Sequence, residues 1–332
     1  MLNTLRFFLL TLSFFTTSLC VSQEDLSVDD MVQRYPKFNS LKDLGIRVQN
    51  DFDDDSKKIR AIYSWLIQNI KYKKNRAPFA GAKMLVYHSE YSLLYQLRHY
   101  ELERVEKAFR QKRGVCWDYS LLFEELCTSI DIKAETIIGV AKTGIGNITN
   151  EPLYKDHSWN AVQIDNEWHL LDVTWAADMY HRNRALFDHN SIDHYYLTPS
   201  QEFIKTHFPE HPKWQLLAKN ISIQEFYASP IYFSNYSESG LELSESTSGL
   251  IAISKDRRIL LDIKKLPKGK KIQYQINQSK KFNRLRLRKV DNDTYMSKIK
   301  VEMQSPNTFI TLYIDNNPVV SFKIKKSVKG WE

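Results

Sequence analysis

Apolar residues recur at helical spacing in three stretches before Asp131. The first stretch, DDDSKKIRAIYSWLIQNIKY, begins at an N-cap that we predict to be Asp55 or Ser56. The second runs from about Glu90 to Gln111 and carries acid–base pairs four residues apart, which favour a helix. The third begins at Cys116. The apolar stripes of the first and third stretches are Ile59, Ile62, Tyr63, Leu66 and Ile70, and Tyr119, Leu122, Phe123, Leu126 and Ile130.

Apolar runs after Asp131 are instead β-branched or alternating, which is typical of strands. AETIIGVAKT predicts one strand, and HSWNAVQIDNEWHLLDVTW predicts two strands around a tight turn at Asp165–Asn166. From about residue 245, short alternating segments separated by turns are typical of a β-sandwich. We therefore predict an α+β domain over residues 23–225, followed by an all-β, Ig-like sandwich domain over residues 245–332.

The N-terminus has the layout of a secretory signal peptide. Arg6 precedes an apolar run over residues 7–15, which is too short to span a bilayer, and small residues follow it. We predict cleavage near Cys20 or Ser22, so that residues 1–22 are removed. A lipid anchor on Cys20 is less favoured, because the three residues before it match the usual small-residue box poorly. No later segment approaches 18 consecutive apolar residues, so we expect a secreted or periplasmic protein without a transmembrane segment.

Two cysteines remain once the signal peptide is removed, Cys116 and Cys127. They are eleven residues apart on one predicted helix, so about 16 Å separates them along its axis, which is too far for a disulfide. An exported protein that keeps unpaired cysteines needs a reason for at least one of them. Cys116 is either a nucleophile or a small apolar residue at the start of a buried helix. Cys127 has no partner in the pattern and is assigned to the core.

The predicted hairpin brings a histidine and an acid together. With a two-residue turn at Asp165–Asn166, Trp159 lies opposite Asp172 and His157 lies opposite Thr174. His157 and Asp172 are then diagonal neighbours on one face, with Cα atoms about 7–8 Å apart. That distance allows an imidazole and a carboxylate to form a hydrogen bond.

Cys116 lies at the first turn of the third helix, where the helix dipole stabilises a thiolate. A histidine oriented by a carboxylate is the base that such a thiol requires, and it can later protonate a leaving amine. The residue types and their predicted positions therefore indicate a catalytic Cys-His-Asp site made of Cys116, His157 and Asp172. In the alternative interpretation all three are structural: a buried thiol, a core histidine and a strand-edge acid.

The segments GVCWDYSLLFEELC and HSWNAVQIDNEWHLLDVTWA together resemble the transglutaminase-like superfamily of papain-fold thiol enzymes. The resemblance covers roughly residues 50–225, and the chain looks similar to the branch that contains kyphoscoliosis peptidase and its bacterial relatives. It implies a helix that bears a cysteine, packed on an antiparallel sheet. It also implies a triad in the order Cys116, His157 and Asp172. Neither a metal nor an organic cofactor is implied.

Two residues beside Cys116 depart from the pattern of this branch, in which Gly stands in the second or third place after the cysteine. Here Trp117 and Asp118 follow. Trp117 is similar to the pattern of animal transglutaminases and is a candidate wall of the substrate cleft. Asp118 is a second cleft candidate, and a negative charge facing the sulfur would disfavour the thiolate. Trp159 is a third candidate, with core packing as the favoured alternative.

HFPEHP contains a histidine pair, His207 and His211, at a spacing that resembles a metal site. Pro209 lies between the two histidines and disfavours a helix. A loop or surface role is therefore predicted for this segment, and no metal ligand is assigned.

The net charge of +8 is concentrated at the C-terminus. Residues 255–332 contain 20 Lys/Arg and 7 Asp/Glu, an excess of 13 positive charges. Such a surface suits an anionic cell-envelope polymer, whereas the segment lacks a stacking motif for single-stranded nucleic acid. A solvated basic face without a partner is the favoured alternative.

These patterns predict an exported thiol enzyme that acts on peptide or Gln amide bonds of a protein or peptide substrate. The expected chemistry passes through a thioester, with hydrolysis favoured over cross-linking. The alternative is a non-catalytic binding or scaffold protein that keeps the fold. Its basic sandwich would dock to an anionic envelope polymer or a protein.

Overall fold

A computed structural model describes residues 27–74, 77, 79, 85–182, 193–244, 246–291, 294–303, 305 and 307–326. The predicted signal peptide, residues 1–22, lies outside the described residues. Within the described ranges, every helix is too short or too polar to serve as a membrane span.

The first part of the chain is a group of helices around a shared apolar core. The helices are α1 (Val28–Gln33), α2 (Leu41–Asp51), α3 (Asp55–Asn69), α4 (Glu90–Gln111) and α5 (Cys116–Thr128). Helix α4 has the predicted bounds, and α5 begins at the predicted residue. Helix α3 has its N-cap one residue before the predicted positions, because the Asp54 carboxylate accepts a 3.0 Å hydrogen bond from the Lys57 N–H. The apolar stripes of α3 and α5 meet in this core.

A short parallel pair of strands joins the end of α3 to the start of α5. Strand β1 (Lys71–Tyr72) pairs with β2 (Arg113–Gly114), so that Tyr72 lies beside Gly114. The Tyr119 hydroxyl of α5 also donates a 2.6 Å hydrogen bond to the Ile70 carbonyl. These contacts fix the position at which α5 begins.

An antiparallel sheet packs against α5. Its strands are β3 (Ala134–Ala141), β4 (His157–Ile164), β5 (Glu167–Leu171) and β6 (His207–Pro209), in the order β5-β4-β3-β6. The hairpin turns at Asp165 and Asn166, and Ile164 pairs with Glu167, as the sequence predicts. Both turn residues have positive φ angles, 51° and 66°, which a two-residue turn between twisted strands requires.

The second strand of the hairpin is shorter than the sequence predicts. Strand β5 ends at Leu171, and helix α6 (Val173–Arg182) begins two residues later. The reason is Asp172, whose Oδ1 accepts hydrogen bonds from the N–H groups of Thr174 and Trp175 at 2.7 and 3.0 Å. A carboxylate in this position caps a helix. Thr174 is therefore helical, and the prediction that it pairs with His157 across the sheet is wrong.

The C-terminal part is a β-sandwich. One sheet has the strand order β11-β10-β14-β15-β7, with β8 also paired to β15, and the other has the order β12-β13-β9. Apolar side chains of β9, β14 and β15 form one buried cluster between the sheets. The α+β class and the all-β sandwich are therefore confirmed. The strands are β7 (Ile231–Tyr232), β8 (Leu250–Ile253), β9 (Arg258–Ile263), β10 (Ile272–Ile276), β11 (Asn283–Arg284), β12 (Arg288–Lys289), β13 (Tyr295–Lys300), β14 (Phe309–Ile314) and β15 (Asn317–Lys326).

The chain between the α+β core and the sandwich contains short helices and contributes to both. The helices are α7 (Ser200–Phe203), α8 (Ile223–Ala228) and α9 (Tyr236–Ser239). Strand β7 follows α8 and pairs with β15, although it lies before residue 245 in the chain. The domain bounds 23–225 and 245–332 stay predictions.

Candidate active site

Cys116 is the first residue of α5 and is buried, with 1% of its surface exposed. The preceding residue, Val115, is the N-cap and has extended backbone angles. Its N–H donates a 2.9 Å hydrogen bond to Oδ2 of Asp118. The thiol therefore lies at the positive end of the helix dipole, as the sequence predicts.

Buried polar contacts hold α5 against strand β4. The Ser120 hydroxyl lies 3.1 Å from the Cys116 carbonyl oxygen and 3.2 Å from the Ser158 hydroxyl. The side-chain amide of Asn160 donates a 3.0 Å hydrogen bond to the Ser120 carbonyl. Because His157 is the first residue of β4, these contacts fix the histidine relative to the cysteine.

His157 and Asp172 form the hydrogen bond that the hairpin predicts. Nε2 of His157 lies 2.7 Å from Oδ2 of Asp172, and the Asp172 side chain is fully buried. Cys116 also acts on His157, since it is among the groups that raise the pKa of that histidine. Since Nε2 faces the carboxylate, Nδ1 is the ring nitrogen left for the thiol.

The electrostatics favour a charged pair between His157 and Asp172. Burial by itself would lower the pKa of His157, but the charge of Asp172, the hydrogen bond that Asp172 accepts from the ring, and Cys116 raise it to about 10. Burial would raise the pKa of Asp172. The charge and hydrogen bond of His157, together with His207, instead hold that pKa well below its usual range. The site thus contains a stable acceptor for the proton of the thiol.

His207 belongs to the same buried cluster, which the sequence does not predict. It lies in strand β6, fully buried, with Nε2 3.1 Å from Oδ2 of Asp172. The predicted loop or surface role of this residue is wrong, because β6 pairs with β3 and turns His207 into the core. The only signal in the sequence was a histidine within an apolar and aromatic stretch.

His157, Asp172 and His207 are also the candidate metal ligands within the described ranges, with ligand atoms within 4.8 Å of one another. Two ligands of a tetrahedral zinc ion lie about 3.3 Å apart when each is about 2.0–2.1 Å from the metal. The 2.7 Å contact between His157 and Asp172 is shorter than that and matches a charge-assisted hydrogen bond. The geometry therefore fits a cluster of hydrogen-bonded side chains better than a metal centre.

A cleft of about 790 Å³ opens beside His157. Aromatic residues Tyr72, Trp175 and Tyr232 line it, together with the charged residues Asp178 and Arg182. Burial and the charge of Cys116 raise the pKa of Tyr72 to about 12. The cleft therefore reaches the His157 end of the cluster.

Trp117 and Asp118 face α4 and do not line this cleft. Trp117 packs against Tyr100, with 5.9 Å between ring centroids, and against the guanidinium of Arg104 at 4.5 Å. Oδ1 of Asp118 lies 2.5 Å from Arg104. The acid is thus compensated by a cation and by the N–H of Val115.

Trp159 lies in the core beneath the site. It is 1% exposed and belongs to an apolar cluster with Ile137, Leu170 and Phe203. Its ring centroid lies 6.0 Å from that of His157. Its burial favours the packing alternative over a place in the substrate cleft.

The chain is similar to known proteins over the region that contains this site. The sequence profile of the transglutaminase-like superfamily matches residues 42–173. Kyphoscoliosis peptidase of Mus musculus is 26% identical over 221 residues, which cover 64% of this chain and 30% of that protein. The Homo sapiens protein of the same name is 26% identical over 205 residues, covering 59% of this chain and 27% of its own length.

Cytokinesis protein 3 of Schizosaccharomyces pombe is 29% identical over 154 residues, which cover 46% of this chain and 17% of that protein. The chain therefore spans less than a third of the length of these curated relatives. The matched profile covers α2 to α5, the sheet strands β3 to β5, and all three predicted triad positions. The chain therefore contains a domain of the transglutaminase-like superfamily, over residues 42–173.

Proposed function

We propose that the chain is a thiol enzyme of the acyl-transfer class. Cys116 is the nucleophile, His157 is its base, and Asp172 orients His157. The observation that carries the proposal is the buried 2.7 Å bond from His157 Nε2 to Asp172 Oδ2, on a histidine whose pKa Cys116 also raises. A carboxylate on one ring nitrogen and a thiol on the other is the arrangement that activates a sulfur nucleophile.

The reaction begins from an ion pair, in which His157 already holds the proton of the Cys116 thiol. The thiolate attacks the carbonyl carbon of an amide, a C–S bond forms, and the carbonyl oxygen becomes an oxyanion. The backbone N–H of Cys116 at the helix start donates to that oxyanion. The C–N bond then breaks, and the imidazolium of His157 gives its proton to the leaving amine. Water attacks the thioester and gives a proton to His157. The C–S bond then breaks, which releases the carboxylic acid and restores the Cys116 thiolate beside the protonated His157.

Hydrolysis is the outcome we propose for the thioester. Asp178 and Arg182 line the cleft, and their side chains are 39% and 75% exposed to solvent. Charged, exposed groups keep water in the cleft, and water therefore competes with any amine acceptor. The substrate is a peptide bond or a Gln carboxamide of a protein or peptide. We also propose export, on the basis of the N-terminal sequence pattern.

The first test is the rate of alkylation of Cys116 by iodoacetamide at pH 6–7. Cys127 is the internal control, because it lies on the same helix, is fully buried, and burial raises its pKa well above the usual value. Alkylation of Cys116 much faster than that of Cys127 and of a free thiol supports the proposal. Equal rates would reject it.

The second test is turnover. Candidate envelope peptides are incubated with the wild type, Cys116→Ala and Cys127→Ala, and the products are analysed by mass spectrometry. Hydrolysis is supported if new peptide termini or Gln-to-Glu conversion occur with the wild type and with Cys127→Ala. Neither product should form with Cys116→Ala or in a blank without enzyme. Incorporation of an added amine would instead show transfer.

A second candidate function, docking to an anionic envelope polymer, is supported by the outer face of the β12-β13-β9 sheet. On this face Lys300 lies directly opposite Arg258, and Lys298 is the next exposed residue of β13. Arg288 of β12 adds a further cation beside Met296. Like charges opposite each other in a sheet are destabilising. Asp256, 3.4 Å from Arg258, offsets part of this charge, and an anionic polymer would offset the rest.

The docking function is tested by binding of the full chain to polyphosphate and to alginate at 50 and 300 mM salt. The double variant Lys298→Glu/Lys300→Glu is compared with Arg110→Glu/Lys133→Glu, which makes the same change of net charge on exposed residues of the α+β domain. If docking occurs, only Lys298→Glu/Lys300→Glu loses binding, and added salt weakens the binding of the wild type. Equal losses in both variants would indicate net charge alone. The two polymers distinguish phosphate from carboxylate recognition.

A further inference from the structure

His207 makes two side-chain hydrogen bonds inside the core. Nε2 lies 3.1 Å from Oδ2 of Asp172, and Nδ1 lies 2.8 Å from the hydroxyl of Thr206. The ring is stacked on Phe203, with 4.1 Å between centroids, and packs against Trp175 at 4.4 Å. The imidazole is therefore held at both nitrogens and on its faces.

These contacts define which nitrogen of His207 carries the proton. Asp172 is ionised and can only accept, so Nε2 of His207 must donate. Burial lowers the pKa of His207 to about 4, so the ring is neutral near pH 7 and Nδ1 accepts from Thr206. The Phe203 carbonyl is a second acceptor for the Thr206 hydroxyl, but at 3.3 Å it is the more distant one. The result is a chain of two hydrogen bonds, from Thr206 to His207 and from His207 to Asp172.

The carboxylate of Asp172 is thereby held at each oxygen. Oδ1 receives the two backbone N–H groups at the start of α6, and Oδ2 receives His207 and His157. A neutral donor at Oδ2 fixes the direction of that oxygen without adding a charge that would compete with the His157 cation. Loss of this donor would leave part of a fully buried carboxylate unsatisfied.

We propose that His207 is a positioning residue for the Cys116–His157–Asp172 site, acting through its hydrogen bond to Asp172. The proposal rests on the proposed thiol chemistry. His207 packs against Trp175 of the cleft lining and binds Asp172, and its effect passes through the orientation of Asp172 and so of the His157 ring. A residue with a purely structural role would change stability alone.

The test compares His207→Gln with His207→Met. Gln and Met have nearly the same shape, but only Gln keeps an N–H donor near the position of Nε2. The readouts are the alkylation rate of Cys116 at pH 7 and the far-downfield proton resonance of the His157–Asp172 hydrogen bond. We expect alkylation to fall about tenfold or more in His207→Met and to stay within about twofold of wild type in His207→Gln, since a hydrogen bond to a charged group is lost only in the former.

Thr206→Val is the second variant, because it keeps the shape of Thr206 and removes the hydroxyl that holds Nδ1. Thr206→Val tests the role of His207 even if His207→Met does not fold. We expect slower alkylation of Cys116 and a shifted downfield resonance in this variant. If the folded variants are alkylated as fast as the wild type and their downfield resonance does not move, His207 has no positioning role. In that case the proposed function still stands, provided that Cys116 of the wild type is alkylated rapidly. Equal losses in the Gln and Met variants would also overturn it, since the donor would then be irrelevant. Slow alkylation of Cys116 in the wild type itself would instead reject the proposed function.

Discussion

The guanidinium of Arg104 lies 2.5 Å from the carboxylate of Asp118, two residues after the cysteine that begins α5. Both side chains are largely buried, with 8% and 14% exposed. The second oxygen of Asp118 accepts the Val115 N–H. The acid beside the thiol is therefore part of the helix start and is compensated by a cation from α4.

Arg104→Met should destabilise the protein and slow the alkylation of Cys116. The change leaves Asp118 as a nearly buried charge without this cation. We expect the free energy of unfolding, measured by urea denaturation, to fall by about 3 kcal/mol. Alkylation should slow because the uncompensated carboxylate disfavours a thiolate.

Asp118→Asn is the matched partner of that change, because it removes the charge and keeps an acceptor for the Val115 N–H. The double variant Arg104→Met/Asp118→Asn should regain part of the stability and of the alkylation rate lost in Arg104→Met. If it regains neither, the effect of Arg104 comes from its packing on Trp117 and not from its charge.

Gly114→Ala should displace Asp118. A Cβ at Gly114 would lie 2.6 Å from the Asp118 Cβ, which is well inside normal contact. We expect a loss of about 1–3 kcal/mol in unfolding free energy. Gly144→Ala is the control, because a Cβ there has no heavy atom within 4 Å and we expect a change below about 0.5 kcal/mol. Equal melting temperatures for the two variants would contradict the crowding at Gly114.

The stability that His157 contributes should disappear in alkali. Its pKa is raised from 6.5 to about 10 in the folded protein, so the native state keeps a proton that the unfolded chain loses. The contribution is complete below pH 6.5 and is lost as the pH rises through about 10. The measurement is the difference in unfolding free energy between wild type and His157→Gln at pH 6, 8 and 10. A difference that stays constant over this range would contradict the charged pair.

Lys142→Met should loosen the wall of the cleft. Lys142 is buried, with 2% of its surface exposed, and its Nζ lies within 3.1 Å of the carbonyl oxygens of Phe226, Ser229 and Pro230. These carbonyls precede β7, whose residues line the cleft. Met leaves them without this donor, and we expect a loss of about 3 kcal/mol in unfolding free energy.

Lys133→Met is the control for Lys142→Met. Lys133 is exposed and directly precedes strand β3, whereas Lys142 is buried and directly follows it. It should change the unfolding free energy by less than about 0.5 kcal/mol. Faster hydrogen exchange over residues 226–234 in Lys142→Met, and not in Lys133→Met, would locate the effect at the cleft wall. Unchanged exchange there would refute that location.

Much of the candidate site follows from local sequence patterns. The start of α5 at Cys116 follows from an apolar stripe of period 3.6. The contact between His157 and Asp172 follows from a two-residue turn and the period of two in strands, since together they define which side chains share a face. Both predictions concern residues joined by a short, regular piece of chain.

The end of β5 shows where the local pattern fails. LLDVTW reads as a continuing strand, because Val and Thr favour strands and Leu171 is buried. The Asp172 carboxylate turns toward the N–H groups of Thr174 and Trp175 and begins a helix. An acid followed by a helix-capable segment is a capping signal, but strand propensity alone does not reveal it.

The sequence by itself determined the starts of α4 and α5, the hairpin register and the pairing of His157 with Asp172, because each depends on neighbours along one element or one turn. Only the tertiary structure decided that Arg104 compensates Asp118 and that His207 binds Asp172. His207 is 35 residues from Asp172, on a strand whose place beside β3 depends on the packing of the whole sheet. Contacts of that kind carry no periodic signal, since they are fixed by how elements pack and not by how each one forms.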